Sequence, residues 1–259
     1  MPDQFSRTAL LFGRENIERL NDRRVAVFGV GGVGGHCAEA LCRSGIGAID
    51  LFDGDVVDIT NINRQLIATH GTVGRDKVIV MRERLLDINP GARIEARKLF
   101  YLPETADAVD LSVYDYIVDA IDTMTAKLEL VCRAAALGVP IVSSMGAANK
   151  LDPSAFEVAD IYDTSVCPMA RIMRGELRKR GVASLKVVYS REPPVKARPE
   201  PAEDPDWDPA QAQAAQRPRP APASSAFVPP VAGLIMAAEV VKYLISSTHP
   251  TPGPRPPPP

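Results

Sequence analysis

At 259 residues, with 46% hydrophobic and 24% charged side chains, the chain has the length and balance of one large α/β domain, or of one domain with an appendage. A formal net charge of -2 argues against a strongly cationic nucleic-acid coat and leaves room for a local basic patch. Met1 to Phe12 lacks the apolar core of a signal peptide, and no window carries the roughly 20 apolar residues of a membrane span. Four isolated cysteines, Cys37, Cys42, Cys132 and Cys167, form no C-x-x-C zinc pair, so the expected setting is the reducing cytoplasm, without stable membrane insertion.

Phe5 to Leu20 places Ala9, Leu10, Phe12, Ile17 and Leu20 between charges, which predicts short surface helices, with Arg7 in this arm. Arg24 to Phe28 is a β-branched apolar run that ends in glycines, and Val33 to Arg43 has helical composition up to Gly45 and Gly47. Between them Gly29, Gly31, Gly32 and Gly34 permit a tight turn and close backbone approach, so that amides at a helix N-terminus can meet phosphate oxygens. Alone this loop is weak support for nucleotide binding. Ile49 to Phe52 predicts a second strand that delivers Asp53 about 19 residues after Gly34, where a dinucleotide fold places the acid that accepts ribose hydroxyls. Up to this point a hydride-transferring dehydrogenase remains the default.

The next block points elsewhere. Asp55, Asn61, Asn63, Arg64, Gln65 and Lys77 crowd charged and amide groups where a nicotinamide enzyme has no evident need for them. An Arg and a Lys aimed at a phosphate would neutralise charge developing on a transferring phosphoryl or nucleotidyl group. The bland alternative is a polar loop that caps the next helix.

Asp76 to Asn89 repeats Val78, Met81, Leu85 and Ile88 on one helical face and stops at Asn89-Pro90-Gly91; Ala92 to Leu99 reads as a strand. Tyr114 to Ala120 is a buried strand ending in Asp119-Ala120-Ile121-Asp122. A carboxylate at that edge could hold Mg²⁺; Asp122 is the candidate, with Asp119 structural. Thr125 to Leu137 predicts a helix closed by Gly138, Val139 to Ser143 the next strand, and Phe156 to Ile161 an edge strand.

Met169 to Arg180 predicts a helix with Arg171, Arg174 and Arg178 on one face, either solvated or set against an RNA backbone. Lys186 to Ser190 is a strand. Residues 191–224 turn Pro, Ala, Gln and acid rich and predict a mobile insert in which Trp207 is a lone anchor or incidental. Phe227 to Ile245 is apolar but carries Glu239 and Lys242, and predicts a helix packed on the sheet; Pro250 to Pro259 predicts a disordered tail. The expected organisation is an α/β, Rossmann-like, doubly wound and mostly parallel sheet over 1–190 with a helical N-terminal arm, the insert 191–224, a C-terminal helix within 225–246, and the tail 247–259.

With Gly29-Val30-Gly31-Gly32-Val33-Gly34, Asp53-Gly54-Asp55, Asn61-Ile62-Asn63-Arg64-Gln65, Val73-Gly74-Arg75-Asp76-Lys77 and Asp119-Ala120-Ile121-Asp122 in order, the chain resembles the ubiquitin-activating-enzyme-like superfamily of ATP-dependent adenylyltransferases. The resemblance implies ATP held by the glycine loop and Asp53, phosphates attended by Arg64 and Lys77, Mg²⁺ on Asp122, and an Arg7 that reaches a partner subunit's site in a homodimer. Phe5-Ser6-Arg7, Asp87-Ile88-Asn89-Pro90, the stretch from Ala170 to Gly181 and Phe227-Val228-Pro229-Pro230 look closer to one branch, the tRNA threonylcarbamoyladenosine dehydratases. That branch implies activation of a threonyl carboxylate on a tRNA adenosine and ring closure by the neighbouring ureido nitrogen. The alternative is an enzyme that adenylates the C-terminus of a ubiquitin-like sulfur-carrier partner; such enzymes commonly add paired zinc cysteines, which this chain lacks. Cys167 departs from the acid that the related dehydratases more often place before that proline. A catalytically silent scaffold of the same fold is a further alternative, disfavoured by Arg64, Lys77 and Asp122 occurring together.

Overall fold

The computed structural model describes residues 3–196 and 222–246. Seven strands form one sheet in the order β3-β2-β1-β4-β5-β7-β6: β1 (Arg24–Phe28), β2 (Ala48–Phe52), β3 (Arg93–Arg97), β4 (Tyr116–Asp119), β5 (Ile141–Ser144), β6 (Phe156–Asp160) and β7 (Lys186–Ser190). All neighbours pair in parallel except β6, which runs antiparallel to β7 on the edge. Because β1 lies between β2 and β4, the winding reverses beside it, and this switch point opens a crevice at the C-terminal strand ends.

Side-chain alternation along the strands divides the core. Val25 and Val27 face α3 (Gly34–Arg43), α4 (Lys77–Ile88) and the last helix, α7 (Val228–Ser246); Ala26 and Phe28 face α5 (Met124–Leu137). A satellite core joins α5, α6 (Pro168–Lys179) and β7 through Val131, Met173, Leu177 and Val187. The N-terminal arm forms α1 (Ser6–Phe12) and α2 (Arg14–Asn21); α2 buries Ile17 and Leu20, whereas α1 buries nothing and leaves Leu10 and Leu11 at 89% and 80% exposure.

By length and composition α7, with a mean hydropathy of 1.6, would suffice to cross a membrane. Instead it packs on the sheet face, burying Val228, Ala232, Met236, Val240, Val241 and Leu244 against α3 and the strands, and each of the larger side chains, Ala232 excepted, contributes about 1.5–3 kcal/mol. The sequence-based strand over Ala92 to Leu99 closes sooner, at Arg97, whose carbonyl accepts from the Asp53 amide at 3.3 Å; beyond it Leu99 leaves the sheet and lies partly buried against the core cluster. Most of the proline-rich segment 191–224, including Trp207, and the tail 247–259 lie outside the described residues.

Candidate active site

A cleft of about 780 Å³ occupies the switch point. Its floor is the turn after β1, where Gly29 adopts φ 88 and any Cβ would stand 2.6 Å from the Ala120 carbonyl oxygen. A Cβ on Gly34 would run into the Gly29 carbonyl, so Gly34 lets α3 start against the strand and does not itself line the cleft. No side chain caps α3; the Gly35 amide donates to the Gly31 carbonyl at 3.0 Å, and the helix N-terminus is otherwise suited to an anion. Gly31 and Gly32 line the floor.

Asp53 stands at the end of β2 with one oxygen accepting from the Val30 amide at 2.7 Å and the other from the Asp55 amide at 2.9 Å. Burial pushes its pKa up, against the opposing pull of those amides and of Lys77. The carboxylate thus ties the loops after β1 and β2 together at the cleft wall. Beside it Phe28 and Phe52, paired in register, stack at 4.4 Å, with Tyr101 edge-on to Phe28 at 5.0 Å. The Tyr101 hydroxyl, its pKa pushed up to about 12 by burial, and Gln65 Oε1 are buried without a hydrogen-bond partner, and both residues line the cleft. Unsatisfied buried polar atoms cost roughly 1–3 kcal/mol each, a cost that a polar ligand relieves. An aromatic wall, a glycine floor and two orphaned polar atoms fit a nucleotide.

The cationic groups enter from the other side. Arg64 lies half-buried with its stem over Gly32, and its Nη1 donates to Asn63 Oδ1 at 2.8 Å and to the Thr60 carbonyl at 3.0 Å. Lys77, 6% exposed at the start of α4, places Nζ 2.8 Å from Asp55 Oδ2. Asp122 lies exposed on the loop after β4 and lines the cleft. That loop is fixed by a buried knot: Asp119 accepts from Lys127 Nζ at 2.9 Å, Ser143 Oγ at 2.5 Å and the Ile121 amide at 3.2 Å, and Lys127 Nζ also donates to the Ile121 carbonyl at 2.9 Å. Asp119 is structural, as the sequence suggested.

Of the residues singled out from sequence, Gly29, Gly31, Gly32, Asp53, Asp55, Arg64, Gln65, Lys77 and Asp122 converge on one cleft. Asn61 does not: its carboxamide accepts from the Asp58 amide at 3.1 Å and closes a capped turn. Asn63 is exposed outside the cleft and holds Arg64. Arg7 stands exposed on α1, away from the cleft. On α6, Arg174 is tied to the Thr164 carbonyl at 2.9 Å and to its hydroxyl, and the Arg178 guanidinium lies 5.1 Å over the Tyr162 ring, so Arg171 is the freest of the three. Cys167 is buried at 3% exposure, and no cysteine lines the cleft. Sequence reasoning missed Phe28, Phe52 and Tyr101, and the far wall of Met145 to Ala148, Met169 and Pro229. The paired strand-end phenylalanines beside the glycine loop were the one available signal.

No group of three or more His, Cys, Asp or Glu able to hold a metal occurs among the described residues. Asp122 is an exposed carboxylate on the cleft, a donor of the kind with which Mg²⁺ is commonly held beside phosphate oxygens.

A model of the ThiF family matches residues 5–256. The tRNA threonylcarbamoyladenosine dehydratase of Bacillus subtilis strain 168 is 46% identical over 246 residues, covering 95% of this chain and 96% of the relative. A sulfur carrier protein adenylyltransferase of Thermus thermophilus is 28% identical, over 97% of this chain and 80% of its own length. Among solved structures, the E. coli tRNA N6-threonylcarbamoyladenosine dehydratase in complex with ATP superposes with a TM-score of 0.79 at 30% identity, covering 94% of each chain.

Proposed function

The chain belongs to the ThiF family, in its tRNA threonylcarbamoyladenosine dehydratase branch, and from that membership and the cleft we infer that it uses ATP to cyclise threonylcarbamoyladenosine in tRNA. The observation that carries the reading is the convergence of Arg64 and the buried Lys77 on a glycine-floored, aromatic-walled cleft that no cysteine lines. A carboxylate is a poor electrophile. One of its oxygens attacks the α-phosphorus of ATP and pyrophosphate departs, leaving an acyl-adenylate. The ureido nitrogen of the same substrate then attacks the acyl carbon, its proton is lost, and AMP leaves with one carboxylate oxygen. The net change in the nucleoside is loss of one water.

Each protein group has a defined task in this scheme. The uncapped start of α3 and the glycine turn receive phosphate oxygens. Phe28, Phe52 and Tyr101 form the apolar wall for the base, and Asp53 faces the ribose. Arg64 and Lys77 stabilise the charge that grows as pyrophosphate departs; Lys77 exchanges its Asp55 contact for phosphate. Mg²⁺ held by Asp122 would neutralise phosphate charge when bound. The substrate supplies its own nucleophile, consistent with the absence of a cleft cysteine.

Arg171, with Arg174 and Arg178 behind it, is our candidate contact to the tRNA backbone. The unburied α1, with Leu10 and Leu11 exposed, is the surface we assign to a second copy of the chain, which would carry Arg7 towards the partner's phosphates. Sedimentation tests this: Leu10→Asp/Leu11→Asp should give monomers, and a wild-type monomer would contradict it. We place the reaction in the cytoplasm, in keeping with four free cysteines.

The test is incubation with ATP, Mg²⁺ and tRNA bearing threonylcarbamoyladenosine, followed by mass spectrometry of the nucleosides. Loss of one water is expected. An unchanged mass together with pyrophosphate exchange stimulated by a sulfur-carrier peptide would assign the chain to carrier-protein activation.

A further inference from the structure

Asn149 lies on the loop after β5 with a left-handed backbone, φ 58, a conformation that asparagine tolerates better than most residues. It makes three hydrogen bonds to chain segments remote in sequence. Its amide donates to the Ala223 carbonyl at 2.8 Å, and its carbonyl accepts from the Val195 amide at 2.8 Å. Its side-chain Oδ1 accepts from the Ala223 amide at 2.9 Å; the donor there identifies that atom as oxygen. Asn149 therefore grips Ala223 by both its amide and its carbonyl.

One residue further on, the Ser224 carbonyl accepts from Asn63 Nδ2 at 3.1 Å. Asn63 Oδ1 in turn accepts from Arg64 Nη1 at 2.8 Å. An asparagine carboxamide has only these two ends, and here one is anchored to the segment before α7 and the other to the guanidinium that lines the cleft. The order of contacts is Asn149, Ala223 and Ser224, Asn63, Arg64. Lys77, by contrast, is positioned by Asp55 and the start of α4, outside this relay.

We propose that Asn149 is a positioning residue for Arg64, acting through the Ala223–Ser224 backbone and the Asn63 carboxamide; the inference rests on the reading of the cleft as a nucleotide site. Asn149 itself does not line the cleft, although its chain neighbour Ala148 and the Ser224 it helps to place do. Its work is to hold the Ser224 carbonyl where Asn63 can be oriented, so that Arg64 meets the phosphates without first being ordered. An arginine side chain free to sample its rotamers pays that ordering cost on binding.

The test is ATP and adenosine affinity by calorimetry and competition on the full chain. Asn149→Gly keeps the left-handed backbone and its two main-chain bonds while removing the carboxamide. It should weaken ATP roughly threefold to tenfold, the scale of one hydrogen bond, and change adenosine by less than about twofold. Asn149→Asp retains the acceptor and should stay within about twofold of wild type for both ligands. In an Arg64→Ala background, Asn149→Gly should cost less than about 1.5-fold more, because the path ends at the missing guanidinium. Equal losses for ATP and adenosine, an equal loss in the Arg64→Ala background, or unaltered ATP affinity would each overturn the proposal. These titrations need no tRNA. A chain that shows the coupling but leaves the tRNA nucleoside unaltered loses the dehydratase reading and keeps this one; a chain that binds no ATP loses both.

Discussion

Lys127→Met probes the knot under the cleft most sharply. Lys127 and Asp119 are both 0% exposed, with Lys127 Nζ 2.9 Å from the carboxylate and 2.9 Å from the Ile121 carbonyl. Methionine fills nearly the same volume, so the perturbation is electrostatic: it strands the Asp119 carboxylate in the core with only the Ser143 hydroxyl and the Ile121 amide. Breaking one side of a buried pair costs about 3–5 kcal/mol. For a domain of this size that is a fall in Tm of roughly 10 °C. Loss of the Lys127 Nζ hydrogen bond to the Ile121 carbonyl also frees the loop that presents Asp122, so turnover should fall with stability even below the melting range. Urea unfolding monitored by circular dichroism measures the first effect, and Asp119→Asn in the Lys127→Met background should recover most of it, since the neutral amide needs no counter-charge. A loss under about 1 kcal/mol with an unchanged m-value, or a double variant no more stable than the single one, would refute the account of this knot.

Arg64→Ala should slow tRNA-dependent pyrophosphate release about 10²–10³-fold, as for loss of a group aimed at developing charge; full turnover in a coupled pyrophosphate assay would remove Arg64 from the chemistry. On α6, Arg171→Gln should weaken tRNA binding and lower the slope of log affinity against log salt by roughly 1, while Arg174→Gln, whose native contacts are to Thr164, should show mainly in thermal stability. An Arg171→Gln variant with wild-type affinity and slope returns that face to solvent. His36, on α3, is held below its ordinary pKa of 6.5, chiefly by burial and also by Arg84, against a hydrogen bond to the Arg64 carbonyl and the charge of Glu39. A depressed pKa means its contribution to stability is present above pH 6.5 and is lost as the pH falls through the folded-state value. The imidazole proton signals should titrate below 6.5, and His36→Gln should flatten the acid side of the Tm profile; titration above 6.5 would contradict this.

The glycine turn, Asp53 and the Arg64 to Lys77 block were legible because each is a local pattern whose backbone or charge requirement is written in adjacent residues. The strands that flank them were legible for the same reason, as β-branched runs ending at glycine or aspartate. What local pattern does not encode is which elements become neighbours. Nothing in Lys186–Ser190 tells that β7 inserts beside β5 in parallel, with β6 turned back on the edge. The aromatic wall was hidden likewise, since Phe28 closes β1, Phe52 closes β2 and Tyr101 lies on the loop after β3. The sequence points to Asn61 and Asn63 as nucleotide ligands because amides beside an arginine suit a phosphate site. Folding assigns one to cap a turn and the other to hold Arg64. Short polar side chains compete well for nearby backbone groups, and only the fold decides whether backbone or ligand receives them.

The central claim is that the threonyl carboxylate is activated by transfer of AMP. Substrate tRNA labelled with ¹⁸O in that carboxylate tests it directly, with mass spectrometry of the released nucleotides. One labelled oxygen in AMP, equal in amount to the cyclised nucleoside formed, is the predicted result. Label in inorganic phosphate with ADP as the nucleotide product, or unlabelled AMP beside cyclised nucleoside, would contradict adenylation and with it the roles given to Arg64 and Lys77.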